Sequence, residues 1–205
     1  MKPTEMMPSE NGMRIECGVY ADDPPRGTPM VYIACLGCYN EGRLTGSWVD
    51  ADRLEERWDY AEEHDRQDRV GHFNKCSRPF HDEWAIHDYD GVPNLGEHPD
   101  IPYLIKVIRC IEEHGEPFYE WFNLDPHNKS HHDDLSEAFQ EAYCGEWDSP
   151  KDFAQQHAED LGYLPHHTEK DPNPLFYFVD FEWWWNSTLR HSYTYCGGFV
   201  FGRDV

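Results

Sequence analysis

Basic residues are scarce in this sequence: 17 Lys and Arg stand against 40 Asp and Glu, a formal net charge of -23 at pH 7. Affinity for phosphate backbones is built from Lys and Arg, so direct binding to nucleic acid is disfavoured. Long apolar runs are lacking as well. None approaches the roughly 20 residues of a membrane span, and Met1 to Pro29 has neither the basic start nor the apolar centre of a signal peptide. We therefore expect a cytoplasmic protein with no membrane partner. No G-x-S-x-G, Walker, G-x-G-x-x-G or H-E-x-x-H pattern occurs, so an enzymatic activity and a cofactor both lack a sequence basis. No repeat of solenoid period is visible. The seven cysteines are odd in number and scattered, which reads as reduced thiols rather than a disulfide framework.

What is present is aromatic and acidic. With 39% hydrophobic and 15% aromatic residues and a mean hydropathy of -0.85, the chain should fold around aromatic-rich cores under a very polar skin. Its 205 residues suffice for one sizeable core or two to three small ones. A compact state at -23 repels itself. Solubility or a halophilic proteome is the bland account of that charge, and a basic partner is the account we favour.

Met1 to Pro29 is polar and holds Pro3, Pro8, Pro24, Pro25 and Pro29, which predicts a partly disordered extension. Met30 to Leu36 and Arg43 to Val49 read as strands, with Asn40 and Gly42 supplying turn residues between them. Asp50 or Asp52 then caps a helix from about Leu54 to Arg69. Glu83 to Gly91 reads as a strand or short turn. Pro102 and Gly115 bracket a helix with Leu104, Ile105, Ile108 and Ile111 as its apolar stripe, and a second helix begins at Glu116 and Pro117. Asp133 or Asp134 opens a helix whose apolar face runs from Leu135 to Tyr143, with Gly145 just past its end. Ser149, Pro150 and Asp152 start another, which stops at Gly162. Leu175 to Phe181 predicts a strand, the aromatic segment after it a helical turn, and Ser192 to Phe201 a closing hairpin around Gly197 and Gly198. Small sheets alternating with helices make the fold class α+β.

The charge is concentrated. From Asp82 to Asp160 there are 20 acids against Lys106, Arg109, Lys129 and Lys151, so these 79 residues carry -16 of the total. Asp134, Glu137 and Glu141 are spaced to share one helix face opposite the apolar stripe. Each like-charge neighbour costs a few tenths of a kcal/mol, whereas alternation with Lys would stabilise by about as much.

Two constellations suggest other chemistry. Cys35 and Cys38 have the spacing of a zinc half-site or redox pair. Zinc needs two more ligands, and no second C-x-x-C or H-x3-5-H pair follows at finger-like spacing. We read the two as core or turn cysteines and expect no metal. Four His-Asp dipeptides, at His64, His81, His87 and His132, have the composition of phosphohydrolase ligands. They fall on segments of differing type, and about one would arise by chance. The many Trp and Tyr residues read as core and interface residues rather than base-stacking platforms.

The words Val31 to Asp50 (VYIACLGCYNEGRLTGSWVD), Glu83 to Gly91 (EWAIHDYDG), Phe139 to Ala154 (FQEAYCGEWDSPKDFA) and Phe176 to Glu182 (FYFVDFE), followed by GGFVFGR, occur in this order. Together they resemble the ArdA antirestriction proteins. The resemblance implies an elongated homodimer of three small domains per chain, pairing through the C-terminal domain. It further implies rows of carboxylates acting as phosphate surrogates that inhibit type I restriction-modification enzymes by competing with B-form DNA. Laid on this chain, the expected parts are an extension over 1–29, an N-terminal α+β domain over 30–79, a mainly helical central domain over 80–130 and an α+β dimerisation domain over 131–205.

The mimic surface would be collective, formed by Glu112, Glu113, Glu116, Glu120, Asp133, Asp134, Glu137, Glu141, Glu146, Asp148, Asp152, Glu159 and Asp160. A dimer would carry twice -23, or -46, about the charge of roughly 78 Å of duplex. The chain departs from the family in its extension, in Asn186 and Ser187 where an arginine and an aspartate are common, and in the run Trp183 to Trp185. The alternative partner is another basic DNA-binding protein or defence system, for which the chain would be an acidic decoy.

Overall fold

The computed structural model describes residues 14–15, 27–63, 76, 78, 81, 83–129, 132–164 and 174–203. The chain divides into two compact units, 1–115 and 116–205. Both are α+β.

In the first unit, Arg14–Ile15 (β1) bridges in parallel to Arg43–Leu44 (β3), and residues 1–13 and 16–26 of the extension lie outside the described residues. Met30–Cys35 (β2) is the centre of an antiparallel sheet, between Gly46–Val49 (β4) and Trp84–Asp90 (β5). Alternation decides the faces. Val31, Ile33, Val49 and Ile86 are buried, while Tyr32 and Trp48, directly opposite each other across β2 and β4, pair edge to face at 5.5 Å. The stretch between β2 and β3 is tighter than a simple loop, because Leu36–Asn40 (α1) turns once as helix.

Asp50 then accepts a hydrogen bond from the Arg53 N–H at 2.9 Å and opens Ala51–Glu63 (α2). This helix starts three residues earlier than the sequence predicts, since capping by Asp50 recruits Ala51 to Arg53 into its first turn. The expected continuation to Arg69 falls outside the described residues. Asp100 caps Ile101–His114 (α3) through the Tyr103 N–H at 2.8 Å, and the Gly115 N–H closes it on the Ile111 carbonyl. The α3 stripe, with Leu104, Val107 and Ile108 fully enclosed, lies on a helix that packs against α2.

The second unit holds two aromatic centres. Glu116–Leu124 (α4) buries Phe118, Trp121 and Phe122, and the short Pro126–Lys129 (α5) follows. Leu135–Ala142 (α6) buries Leu135, Ala138, Phe139 and Ala142. Phe139 lies edge-on to Phe118 at 5.5 Å and to Trp121 at 5.7 Å. The other centre gathers Phe153 and Ala154 of Pro150–Asp160 (α7), Phe181 and Trp185 of Phe181–Ser187 (α8), Leu189 and Val200. A three-stranded antiparallel sheet supports them, in the order Tyr143–Glu146 (β6), Phe199–Gly202 (β8), Tyr193–Cys196 (β7). Gly197 and Gly198 join β7 to β8 with φ of 59° and 93°, the positive values a two-residue hairpin requires.

Two expectations are corrected. The helix opened by Asp134 ends at Ala142, because Tyr143 pairs with Phe201 of β8 while its ring stays stacked on Phe139 at 5.3 Å. Gly145 therefore lies inside a strand. Pro174–Phe178 forms a 3-10 helix and not the predicted strand. Pro174 fixes a helical φ at its start, and none of the three described sheets offers the segment a neighbour.

Phe118 is wholly buried among three aromatic partners. Phe118→Ala should lower the unfolding free energy by about 3–5 kcal/mol, measured by chemical denaturation.

Candidate functional site

The candidate surface is built on helix starts and turns. Residues 116–205 hold 17 Asp and Glu against 5 Lys and Arg, a net -12, so the second unit is the more densely charged. Of the acids singled out in the sequence, Glu120, Asp152 and Glu159 are half-buried and the others are exposed. Glu112 and Glu113 belong to α3 of the first unit and the rest to the second.

Several have local duties. Glu112 takes a hydrogen bond from Arg109 at 3.1 Å. Asp134 caps α6 through the Glu137 N–H at 3.0 Å. Asp152 accepts from the Ser149 hydroxyl at 2.5 Å, which in turn accepts from the Asp152 N–H. Glu120 accepts from the Cys196 thiol at 3.2 Å and covers Gly197, where a Cβ would meet its Cγ at 2.8 Å. Asp160 accepts from Gln156 at 2.9 Å. Glu116, Asp133, Glu137, Glu141, Glu146 and Asp148 have no Lys or Arg partner among the described residues. On α6, Glu137 and Glu141 stand one turn apart on the side opposite Phe139.

Arg109, Lys129 and His157 are engaged by the fold, while Lys106, Lys151 and Arg190 are exposed. Arg109 is shared among Asp52 at 2.6 Å, Glu55 at 2.8 Å and Glu112, and its hydrogen bonds with Glu55 and Asp52 raise its pKa further. Lys129 is buried with its ammonium 4.6 Å from the Trp121 ring centre. Burial lowers its pKa against the opposing pull of Asp125. His157 stacks on Phe153 at 5.3 Å and lies beside Trp184 and Tyr193. Burial holds its imidazole below the ordinary range, although Asp160 pulls the other way.

Cys35 and Cys38, read from the sequence as core or turn cysteines, do not stand alone in the fold. Cys76 and His81 converge on that pair, and one ligand atom from each of the four lies within 4.8 Å of the others. The search for a second paired motif missed them because Cys76 and His81 form a mixed C-x4-H pair 38 residues beyond Cys38. His81, which begins one of the His-Asp dipeptides, turns its Nδ1 to the thiols. Burial pushes the Cys35 thiol up to about 12. At Cys38 burial acts in the same direction, but hydrogen bonds from Thr45, Cys76, His81 and Cys35 outweigh it and bring the thiol down to about 7.

Fold and surface together define a small α+β protein that presents unpaired carboxylates. The family model described as antirestriction protein (ArdA) matches residues 31–197. The chain belongs to the ArdA antirestriction family. Among curated proteins nothing matches it. No helix of the described residues is long and apolar enough to cross a membrane.

His157 gives the site a pH signature. The unfolded chain binds its proton near pH 6.5, while the folded chain binds it only at lower pH. Its contribution is thus complete above about pH 6.5 and lost as pH falls through the folded pKa. Between about pH 7.5 and about pH 5.5, denaturation midpoints should fall further for the parent chain than for His157→Phe.

Proposed function

We propose that this protein is a stoichiometric, non-catalytic inhibitor that occupies the DNA-binding cleft of a type I restriction-modification enzyme, its carboxylates standing in for the phosphates of B-form DNA. Membership of the antirestriction family supports this reading. The observation that carries it is the set of exposed acids in the second unit that have no Lys or Arg partner among the described residues, namely Glu116, Asp133, Glu137, Glu141, Glu146 and Asp148. Carboxylates already paired to Lys or Arg would meet the cleft half neutralised. These retain their charge for the enzyme's Lys and Arg, so complementarity and release of small ions drive association.

The inhibitor acts as a homodimer that pairs through the second unit, which lengthens the acidic surface. Tyr177, Phe178 and Trp183 are 71%, 86% and 66% exposed there, an aromatic group suited to burial against a second copy.

Titrating the protein into a type I enzyme bound to labelled duplex should displace the DNA stoichiometrically. Affinity should weaken roughly tenfold or more between low and physiological salt. The dependence should be shallower than that of DNA, whose phosphates are denser and carry condensed counterions. Glu141→Gln alone should cost less than about 1 kcal/mol, while Asp133→Asn, Glu137→Gln and Glu141→Gln together should cost several times more. Absence of displacement at micromolar protein would transfer the reading to another basic DNA-binding protein, and a single neutralisation that abolished inhibition would exclude a distributed mimic.

A further inference from the structure

Four side chains in the first unit meet around one point. Cys35 ends β2, Cys38 lies in α1, and Cys76 and His81 come from the chain ahead of β5. The Cys38 and Cys76 sulfurs are 3.6 Å apart. His81 Nδ1 lies 3.4 Å from the Cys38 sulfur and 3.6 Å from those of Cys35 and Cys76. One ring nitrogen donates or accepts a single hydrogen bond, so three simultaneous sulfur contacts are not a hydrogen-bond pattern. They match a shared cation instead. With Zn–S of about 2.3 Å and Zn–N of about 2.0–2.1 Å, a tetrahedron sets sulfurs about 3.8 Å from each other and about 3.6 Å from nitrogen.

We infer that Cys35, Cys38, Cys76 and His81 bind one structural zinc ion, with three thiolate sulfurs and the His81 Nδ1 as its ligands. Three thiolates and an imidazole form the soft donor set that favours zinc. The three cysteines are buried, and four protein ligands leave no position open for water or substrate, which makes the site structural.

The surroundings fit this assignment. The Cys35 sulfur accepts from the Cys38 N–H at 3.4 Å. His81 Nε2 lies 3.4 Å from Glu41, the carboxylate that orients a metal-bound imidazole from behind. Arg43 and Arg78 hold Glu41 in turn. Gly37 leaves room for the ring, since a Cβ there would meet His81 at 2.7 Å. The ion would tie both ends of the chain between Cys38 and Cys76 to the first sheet.

The full chain, reduced and without tag histidines, tests this. Protein purified from zinc-supplemented cells should contain one zinc per chain by elemental mass spectrometry. Metal-free protein titrated with cobalt(II) should develop the intense visible bands of a tetrahedral thiolate site, and one equivalent of zinc should bleach them. Cys76→Ser should lose the spectrum, and His81→Cys should keep the metal with shifted bands. Glu41→Ala should retain the bands while binding roughly 10–100-fold more weakly. Should Cys76→Ser fail to fold, the cobalt titration of the unaltered chain decides. Background zinc with no cobalt bands in the folded parent chain, or a Cys38–Cys76 disulfide in place of free thiols, would overturn the assignment.

Discussion

Repulsion among like charges is the constraint on which this molecule depends. A net -23 over 205 residues opposes compaction, and the opposing term is aromatic burial. In the second unit Phe118, Trp121, Phe122 and Phe139 make one centre, and Phe153, Phe181 and Trp185 another. The chain concentrates its rings where its carboxylates are densest. Apolar burial does not depend on ionic strength as surface ion pairing does, so the structure need not neutralise its surface in order to stand.

Helix polarity eases the same constraint. Asp100, Asp134 and Asp180 cap α3, α6 and α8, and Glu116, Glu137, Asp152 and Glu182 sit in first turns. Carboxylates there meet unpaired N–H groups and the positive end of the helix dipole, an attraction of about 0.3–1 kcal/mol each. Some acids of the second unit are held by a helix start or a donor, such as Asp134 and Asp152, and others, such as Glu141 and Asp148, have neither that support nor an ion pair among the described residues. A collective charge list drawn from sequence does not separate these groups, because capping depends on where the backbone turns.

Local chemistry made much of the fold legible. The Pro102 and Gly115 signals and the Ser149–Pro150–Asp152 start are short-range, and the structure uses them as spacing predicts. Failures occurred where a distant segment decided the outcome. Tyr143 continues a helical period but is claimed by β8, and Leu175 to Phe181 has strand composition without a strand beside it. The thiol and imidazole cluster is not legible in the sequence for the same reason, since Cys76 and His81 are brought to Cys35 and Cys38 by tertiary structure. No periodicity records that meeting.

The exposed aromatic segment beside α8 has a colloidal consequence. Carboxylates keep copies of the chain apart at low ionic strength, and salt shortens the range of that repulsion while leaving the attraction between rings intact. Under the proposed function, self-association and capture of a basic cleft therefore respond to ions with opposite sign. Under that reading, dilute buffer favours adhesion to cationic surfaces and strong brine favours adhesion between copies.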